Sequence, residues 1–313
     1  MAIRPVPAAG PPPALDLVRL RSAGLVLLAG TCWSTGGVLV RLVEEADARQ
    51  IVLWRSLFIG LFVASVLLLR RRGDLLGGLR AVGWNGVLGG LCLAGAFVGF
   101  VEALTRTTVA NAVFLLAAQP LLAALFARLL LGERVSRTTW LAMLTAAAGI
   151  AVMMAPGLRF GDVAGSLMAL GAALGFALFS VSLRRGRHGD TTPSILYAAL
   201  FSAAGCALLL ASSGGIESLS IPPRDLLLCA VMGIGQIGCG MLAFAAGSRH
   251  LTAAELGLLA LSEVVLGPVW AWLALGEIPA SSTLMGGALV LAAAAAQAIA
   301  GAAPRSLTAG QGP

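Results

Sequence analysis

The sequence predicts an all-α integral membrane protein: ten transmembrane helices arranged as two inverted five-helix repeats. Three observations carry that expectation. Of 313 residues, 58% are hydrophobic and only 11% charged, with a mean hydropathy of +0.94; a soluble domain carries about 25% charge to keep its surface hydrated. Apolar runs of about 20 residues, the length of a bilayer-crossing helix, follow one another along the chain. Finally, residues 108–133 (TVANAVFLLAAQPLLAALFARLLLGE) recur without a gap 144 positions later as residues 252–277 (TAAELGLLALSEVVLGPVWAWLALGE). Thr108 falls on Thr252, Leu115 on Leu259, and Leu131-Gly132-Glu133 on Leu275-Gly276-Glu277. Each copy holds one polar residue in mid-span, Gln119 in the first and Glu263 in the second. Self-similar halves with polar groups at matched depth mark repeat-built transporters.

Taken in order, residues 1–21 form a Pro-rich tail expected to be disordered and cytoplasmic. The run after Arg19 and Arg21 has the look of a secretory signal. It continues to Val40 without a small-residue cleavage site, so it reads as a retained first span. Spans are expected at about 23–41, 51–69, 82–104, 109–131 and 138–156 in a first repeat covering 22–156. A second repeat covering 163–300 holds spans at about 163–183, 193–212, 226–247, 252–275 and 281–300, before a polar cytoplasmic tail over 301–313. Helices are the default because barrel strands would alternate over about 10 residues, and these runs are apolar all round.

Loop charge sets the orientation. With the N-terminus inside, fourteen arginines fall on cytoplasmic segments and six on external ones, with Arg128 left within a span. Five spans per half is an odd number, so the second half must enter the membrane upside down, and charge on equivalent loops should change sides. It does. Arg70–Arg72 after span 2 correspond to the loop SSGGIE after span 7, and Arg134 and Arg137 correspond to Ile278 and Ser281. The acidic loop with Glu44, Glu45 and Asp47 corresponds to Arg184, Arg185 and Arg187.

All 21 basic residues are arginine, a bias suggestive of a GC-rich bacterial genome, and the expected location is the bacterial inner membrane with both termini cytoplasmic. The arginines are dispersed among short loops, which argues against nucleic-acid binding. Cys32, Cys92, Cys206, Cys229 and Cys239 lie in apolar runs without a CxxC, and His188 and His250 sit in loops beside arginines. No metal site or cofactor is expected.

The two LGE endings with an apolar fifth helix after each, Arg55 at the head of span 2 and Pro120 in the middle of span 4 resemble the EamA group of the drug/metabolite transporter (DMT) superfamily. The resemblance covers roughly residues 22–300. It implies a central cavity between the halves, alternating access, and movement of small organic solutes such as amino acids. It departs at Val264, where a second proline is expected, with Pro268 one turn further on.

Glu263 is the leading candidate for substrate binding and for proton coupling. A carboxyl in mid-membrane costs a few kcal/mol or more unless it faces protein, water or a proton, and desolvation favours its neutral acid. Gln119, at the matched depth, can donate and accept; interhelical hydrogen bonding is the plain alternative. Asn111 pairs with Glu255 by repeat position, and capping or hydration suits both. Glu102, one turn before Arg106, forms either a surface ion pair or the outer polar wall of a cavity. Gln236 sits between Gly235 and Gly238, which allow close helix approach or local unwinding. Trp33, inside span 1, either stacks on substrate or packs. Trp54, Trp84, Trp140, Trp270 and Trp272 read as interfacial anchors, and Arg55 as a residue near the outer face that pairs with Glu44, Glu45 or Asp47. Glu133 and Glu277 should pair locally or cap the following helix. Gly86–Gly90, Gly95–Gly99 and Gly171–Gly175 read as helix-packing faces.

The function these features support is secondary active transport, as a metabolite exporter with candidate proton coupling. The alternative is a non-transporting sensor or scaffold of the same fold. An enzyme is disfavoured because HExxH, GxSxG and P-loop motifs are absent from the sequence. The partners expected are a small-molecule substrate, the lipid bilayer and protons, with homodimerisation left open.

Overall fold

The computed structural model describes residues 17–70, 74–132, 137–160, 163–186, 192–248, 251 and 253–302, and every regular element among them is helical. The first half contains α1 (Leu17–Ser34), α2 (Gly36–Arg41), α3 (Ala48–Arg70), a short α4 (Leu75–Ala81), α5 (Gly83–Arg106), α6 (Val109–Leu116), α7 (Gln119–Leu131) and α8 (Arg137–Phe160). The second holds α9 (Ala164–Gly186), α10 (Thr192–Gly214), a 3₁₀ turn at Ile216–Leu219, α11 (Pro223–Ala230), a π-helical stretch at Val231–Cys239, α12 (Gly240–Gly247), α13 (Ala253–Leu275) and α14 (Ser281–Ala302). Helix α1 starts at Leu17, within the stretch expected to be tail.

Among the described residues, eight helical runs are long and apolar enough to cross a membrane, from Leu20–Arg41 to Pro223–Gly247; Leu259–Leu275 and Ser281–Ala296 are shorter apolar helices. The chain is a multi-pass membrane protein. Leucines such as Leu61, Leu129, Leu141, Leu208 and Leu273 point outward, as they should where the surrounding solvent is hydrocarbon and not water.

Two runs are broken in mid-course. Thr35 separates α1 from α2, its hydroxyl donating to the Cys32 carbonyl at 2.7 Å. Ala117 and Ala118 separate α6 from α7, where Pro120 removes a backbone donor from the ladder. In the second copy α13 runs unbroken through Pro268, so the equivalent of the α6/α7 break does not recur. The LGE endings behave alike where both are described: Gly132 and Gly276 take positive φ of 69° and 67°, the left-handed helix-terminating conformation that glycine adopts without a Cβ penalty.

Packing relations of one half recur in the other with the halves exchanged. Helix α5 lies against α9, and α12 against α1; α1 also packs on α13, and α9 on α6 and α7. Two pairings map onto themselves under the exchange, α3 with α10 and α8 with α14. Small residues permit these approaches. A Cβ on Gly90 would lie 2.8 Å from the Ser194 carbonyl, one on Gly175 would lie 2.7 Å from that of Cys92, and one on Gly149 would lie 2.6 Å from that of Gly286. Within the predicted glycine faces, a Cβ on Gly95 or Gly171 would meet nothing within 4 Å, whereas one on Gly99 or Gly175 would crowd a neighbouring helix.

Glu133, His188, His250, the side chain of Glu255, and both terminal stretches (1–16 and 303–313) lie outside the described residues.

Candidate substrate cavity

A cavity of about 470 Å³ lies between the halves, a size suited to small molecules, whose pockets span about 300–1,000 Å³. Its polar wall comes from both halves: Trp33 on α1, Arg55 on α3 and Gln119 at the start of α7, facing Gln236 on the π-helical stretch and Glu263 on α13. Phe62, Phe97, Phe100, Phe176, Phe179 and Phe244 supply an aromatic lining. Gln119 and Glu263, the polar residues at matched positions of the repeat, thus line one space.

Local sequence explains how these groups are presented. The glycine-rich stretch Val231–Cys239 winds as a π-helix, whose wider turn re-aims side chains relative to an α-helix and which recurs at functional sites. A Cβ on Gly233 would come within 2.8 Å of the Arg55 carbonyl, and one on Gly240 within 2.8 Å of the Trp33 indole. The glycines therefore let this stretch lie directly against α3 and α1. Gln236 Nε2 donates to the Trp33 carbonyl at 3.1 Å, while its Oε1 is buried without a partner. Trp33 packs on Phe244, ring centroids 5.5 Å apart.

Arg55 departs most from expectation. It is 3% exposed and lines the cavity, away from the acidic loop. Its guanidinium lies over the Phe97 ring at 5.3 Å and makes one long bond, 3.4 Å, to the Phe97 carbonyl; Nε has no partner. Two of the three acidic groups expected to meet it are engaged elsewhere: Glu44 pairs with Arg224, and Asp47 Oδ1 accepts from the Gln50 N–H.

Glu102 and Asn111 are not among the residues lining this cavity. Glu102 pairs with Arg106 at 3.1 Å, four residues on. Asn111 is buried where α6 meets α9, its Nδ2 donating to Thr107 Oγ1 at 2.9 Å and Ser166 Oγ at 2.8 Å. Two tryptophans read as interfacial anchors instead tie the halves together: Trp54 Nε1 donates to the Leu219 carbonyl and Trp270 Nε1 to Ser34 Oγ, both at 2.9 Å. Trp84 and Trp272 are exposed on the outer surface.

The cavity runs toward the end of the bundle that carries Arg70 and Thr192. The opposite end is fastened by polar contacts between the halves. Asp225, 1% exposed at the start of α11, accepts from the backbone N–H of Glu45 at 3.0 Å and Ala46 at 2.9 Å, with a longer bond of 3.4 Å from Glu44. Gln50 Nε2 donates to the Ser218 and Ser220 carbonyls. Glu277 accepts from the Val109 N–H at 2.6 Å and sits 3.8 Å from Arg41 Nε. It therefore caps α6, a helix of the other half, and not the helix that follows it. A carboxylate is favourable there because α6 presents unsatisfied N–H groups and its positive dipole end. Asp225 drew no attention in the sequence; an acid two residues after Pro-Pro at a helix start is the signal that marks it.

The EamA-like transporter family matches residues 20–155 and again 163–296. The chain is 28% identical over 275 residues to the "Pseudopaline exporter CntI" of Pseudomonas aeruginosa strain UCBPP-PA14, covering 86% of this chain and 93% of that protein. It is 27% identical over 275 residues to the protein of the same name in strain PAO1, with the same coverage. A solved crystal structure superposes with a TM-score of 0.62 at 22% identity, covering 90% of this chain and 98% of the other, which shows the shared fold. With two matches that together span most of its length, this chain belongs to the EamA-like transporter family.

Proposed function

We propose that the protein is a secondary active exporter of small organic metabolites such as amino acids, working by alternating access across a bacterial inner membrane. The observation that carries this reading is the cavity itself: an aromatic space between the halves with Arg55, Gln119, Gln236 and Glu263 on its wall. Ten spans in two inverted halves account for the exchanged packing relations. With the arginine-rich side taken as cytoplasmic, the Arg70 end is inside and the fastened end outside. The cavity then faces the cytoplasm, where an exporter loads. Export also agrees with the name of the Pseudomonas relatives. For the cycle to turn, the Asp225, Gln50 and Glu277 contacts must release as the Arg70 end closes. Glu263 is the candidate proton carrier, since a carboxyl at this depth is stable when neutral and can exchange its proton through the cavity.

Counterflow in proteoliposomes tests the reading. Vesicles loaded with pools of unlabelled amino acids and other metabolites should accumulate the matching labelled solute in a saturable, pool-specific way. Glu263→Gln should retain counterflow, which needs no net proton movement, and lose accumulation driven by a pH gradient. Folded, inserted protein that carries no pool would overturn the transporter reading in favour of a sensor or scaffold. Gradient-driven accumulation that survives Glu263→Gln would remove the proton role alone.

A further inference from the structure

Arg55 is a permanent cation placed in the interior with one long carbonyl contact, one aromatic ring and an unpartnered Nε. Among the described residues no carboxylate lies within ion-pair distance of it. A buried charge without a counter-ion is costly, and charges held inside a membrane bundle serve a ligand or ion path by default. The second orphaned polar atom on the same cavity wall is complementary in kind: Gln236 Oε1 is a buried acceptor without a donor. Glu263 adds further acceptor atoms to that wall. One half thus offers a cation with an unpartnered donor and the other half offers acceptors, of which Gln236 Oε1 lacks a donor, on the wall of one aromatic-lined cavity.

Resting on the transport reading above, we propose that Arg55 binds the carboxylate of the transported solute, while Gln236 and Glu263 receive its amine, so that the cavity selects amino-carboxylates with an apolar body. A guanidinium matches a carboxylate with two parallel N–H···O bonds, a geometry that neither an amide nor an ester reproduces. The ammonium group supplies the donors that Gln236 Oε1 lacks. The Phe and Trp lining accepts an apolar side chain. Because carboxylate and amine are held by opposite halves, a bound solute bridges the two bodies that must rock against each other.

Equilibrium binding tests this separately from transport. The purified protein is heated with each common α-amino acid, its carboxamide and its des-amino acid, and ligand is read as a rise in melting temperature. At least one apolar amino acid should stabilise the protein, with its carboxamide and des-amino analogue binding roughly ten- to hundredfold more weakly, as expected for lost charge-assisted bonds. Arg55→Gln should bind acid and carboxamide alike, and Arg55→Lys should recover part of the preference. Gln236→Ala should keep the acid-over-amide preference and lose part of the preference for the amine, which guards against misfolding of any one variant. Equal binding of acid and amide by the unsubstituted protein, or a preference that survives Arg55→Gln, overturns the assignment. So does counterflow of solutes that all lack a carboxylate, which leaves the transporter reading standing. Stabilisation by amino acids without counterflow supports the ligand assignment and removes the transport reading.

Discussion

Replacing Asp225 by alanine removes one carboxylate that holds the 44–46 backbone of the opposite half. Its two shorter bonds, 3.0 Å from Glu45 N and 2.9 Å from Ala46 N, lie within the ordinary hydrogen-bond range, and the 3.4 Å bond from Glu44 N adds little. Hydrogen bonds to a charged group contribute about 1.5–3 kcal/mol each, so two sum to about 3–6 kcal/mol before the freed N–H groups find water. Glu45 is exposed and Ala46 half-buried, so hydration recovers part of that, leaving a net loss of about 2–3 kcal/mol. The exposed Arg224–Glu44 pair beside it is screened by solvent and changes the figure little. That loss should raise the population with the fastened end open roughly 30- to 150-fold. Cys229 reads it out. It sits one turn after Asp225, 0% exposed, with Sγ 3.9 Å from the Ile51 carbonyl. In protein whose other four cysteines are replaced by serine, a water-soluble maleimide should label Cys229 faster in Asp225→Ala by that factor, and by less in Asp225→Asn, which keeps one acceptor oxygen. A labelling rate unchanged by Asp225→Ala, in protein that still melts cooperatively, would refute the idea that this carboxylate fastens the halves.

Three further outcomes follow from the geometry. Glu277→Ala should lose the bond to Val109 N and the Arg41 contact, destabilising the protein by about 1.5–3 kcal/mol, and Glu277→Gln should lose less because its amide oxygen still accepts; an unchanged melting point in Glu277→Ala would show that the α6 N-terminus is satisfied without it. Gly286→Leu should cost about 1–3 kcal/mol by forcing α14 off α8, whereas Gly95→Leu, with nothing within 4 Å, should be neutral; equal melting shifts for the two would contradict the packing. Gly276→Ala, at φ 67°, should cost about 1 kcal/mol through backbone strain alone, measured as a lowered melting point with the fold retained.

Much of the candidate site was legible in the chain, and the pattern of what was missed is informative. Gln119 and Glu263 stood out because a polar residue inside an apolar run has no cheap lipid-facing position, so it must point into the protein. Gln236 stood out because glycines flanked it. Arg55 was visible for the same reason but was assigned to the surface, since its place near a span end and the acids just before it made an ion pair the economical reading. Glu102 and Asn111 show the converse. Both are polar and near span ends, and both have donors or charges engaged by neighbours, Glu102 with Arg106 and Asn111 Nδ2 with Thr107 and Ser166.

By itself the sequence determined that this is a helical, multi-pass membrane protein with two related halves. Composition and run length decide the first point, because a chain with so little charge can hydrate no surface and its backbone must satisfy itself within helices. The gapless 144-residue recurrence decides the second. Only the tertiary structure decided which polar groups share a space and which fasten one half to the other. Periodicity gives the face of a helix, but which helix it meets depends on packing between residues far apart in the chain, such as Asp225 with Ala46 or Glu277 with Val109. The π-helical stretch at Val231–Cys239 likewise answers to its surroundings, since its glycines bring it directly against α3.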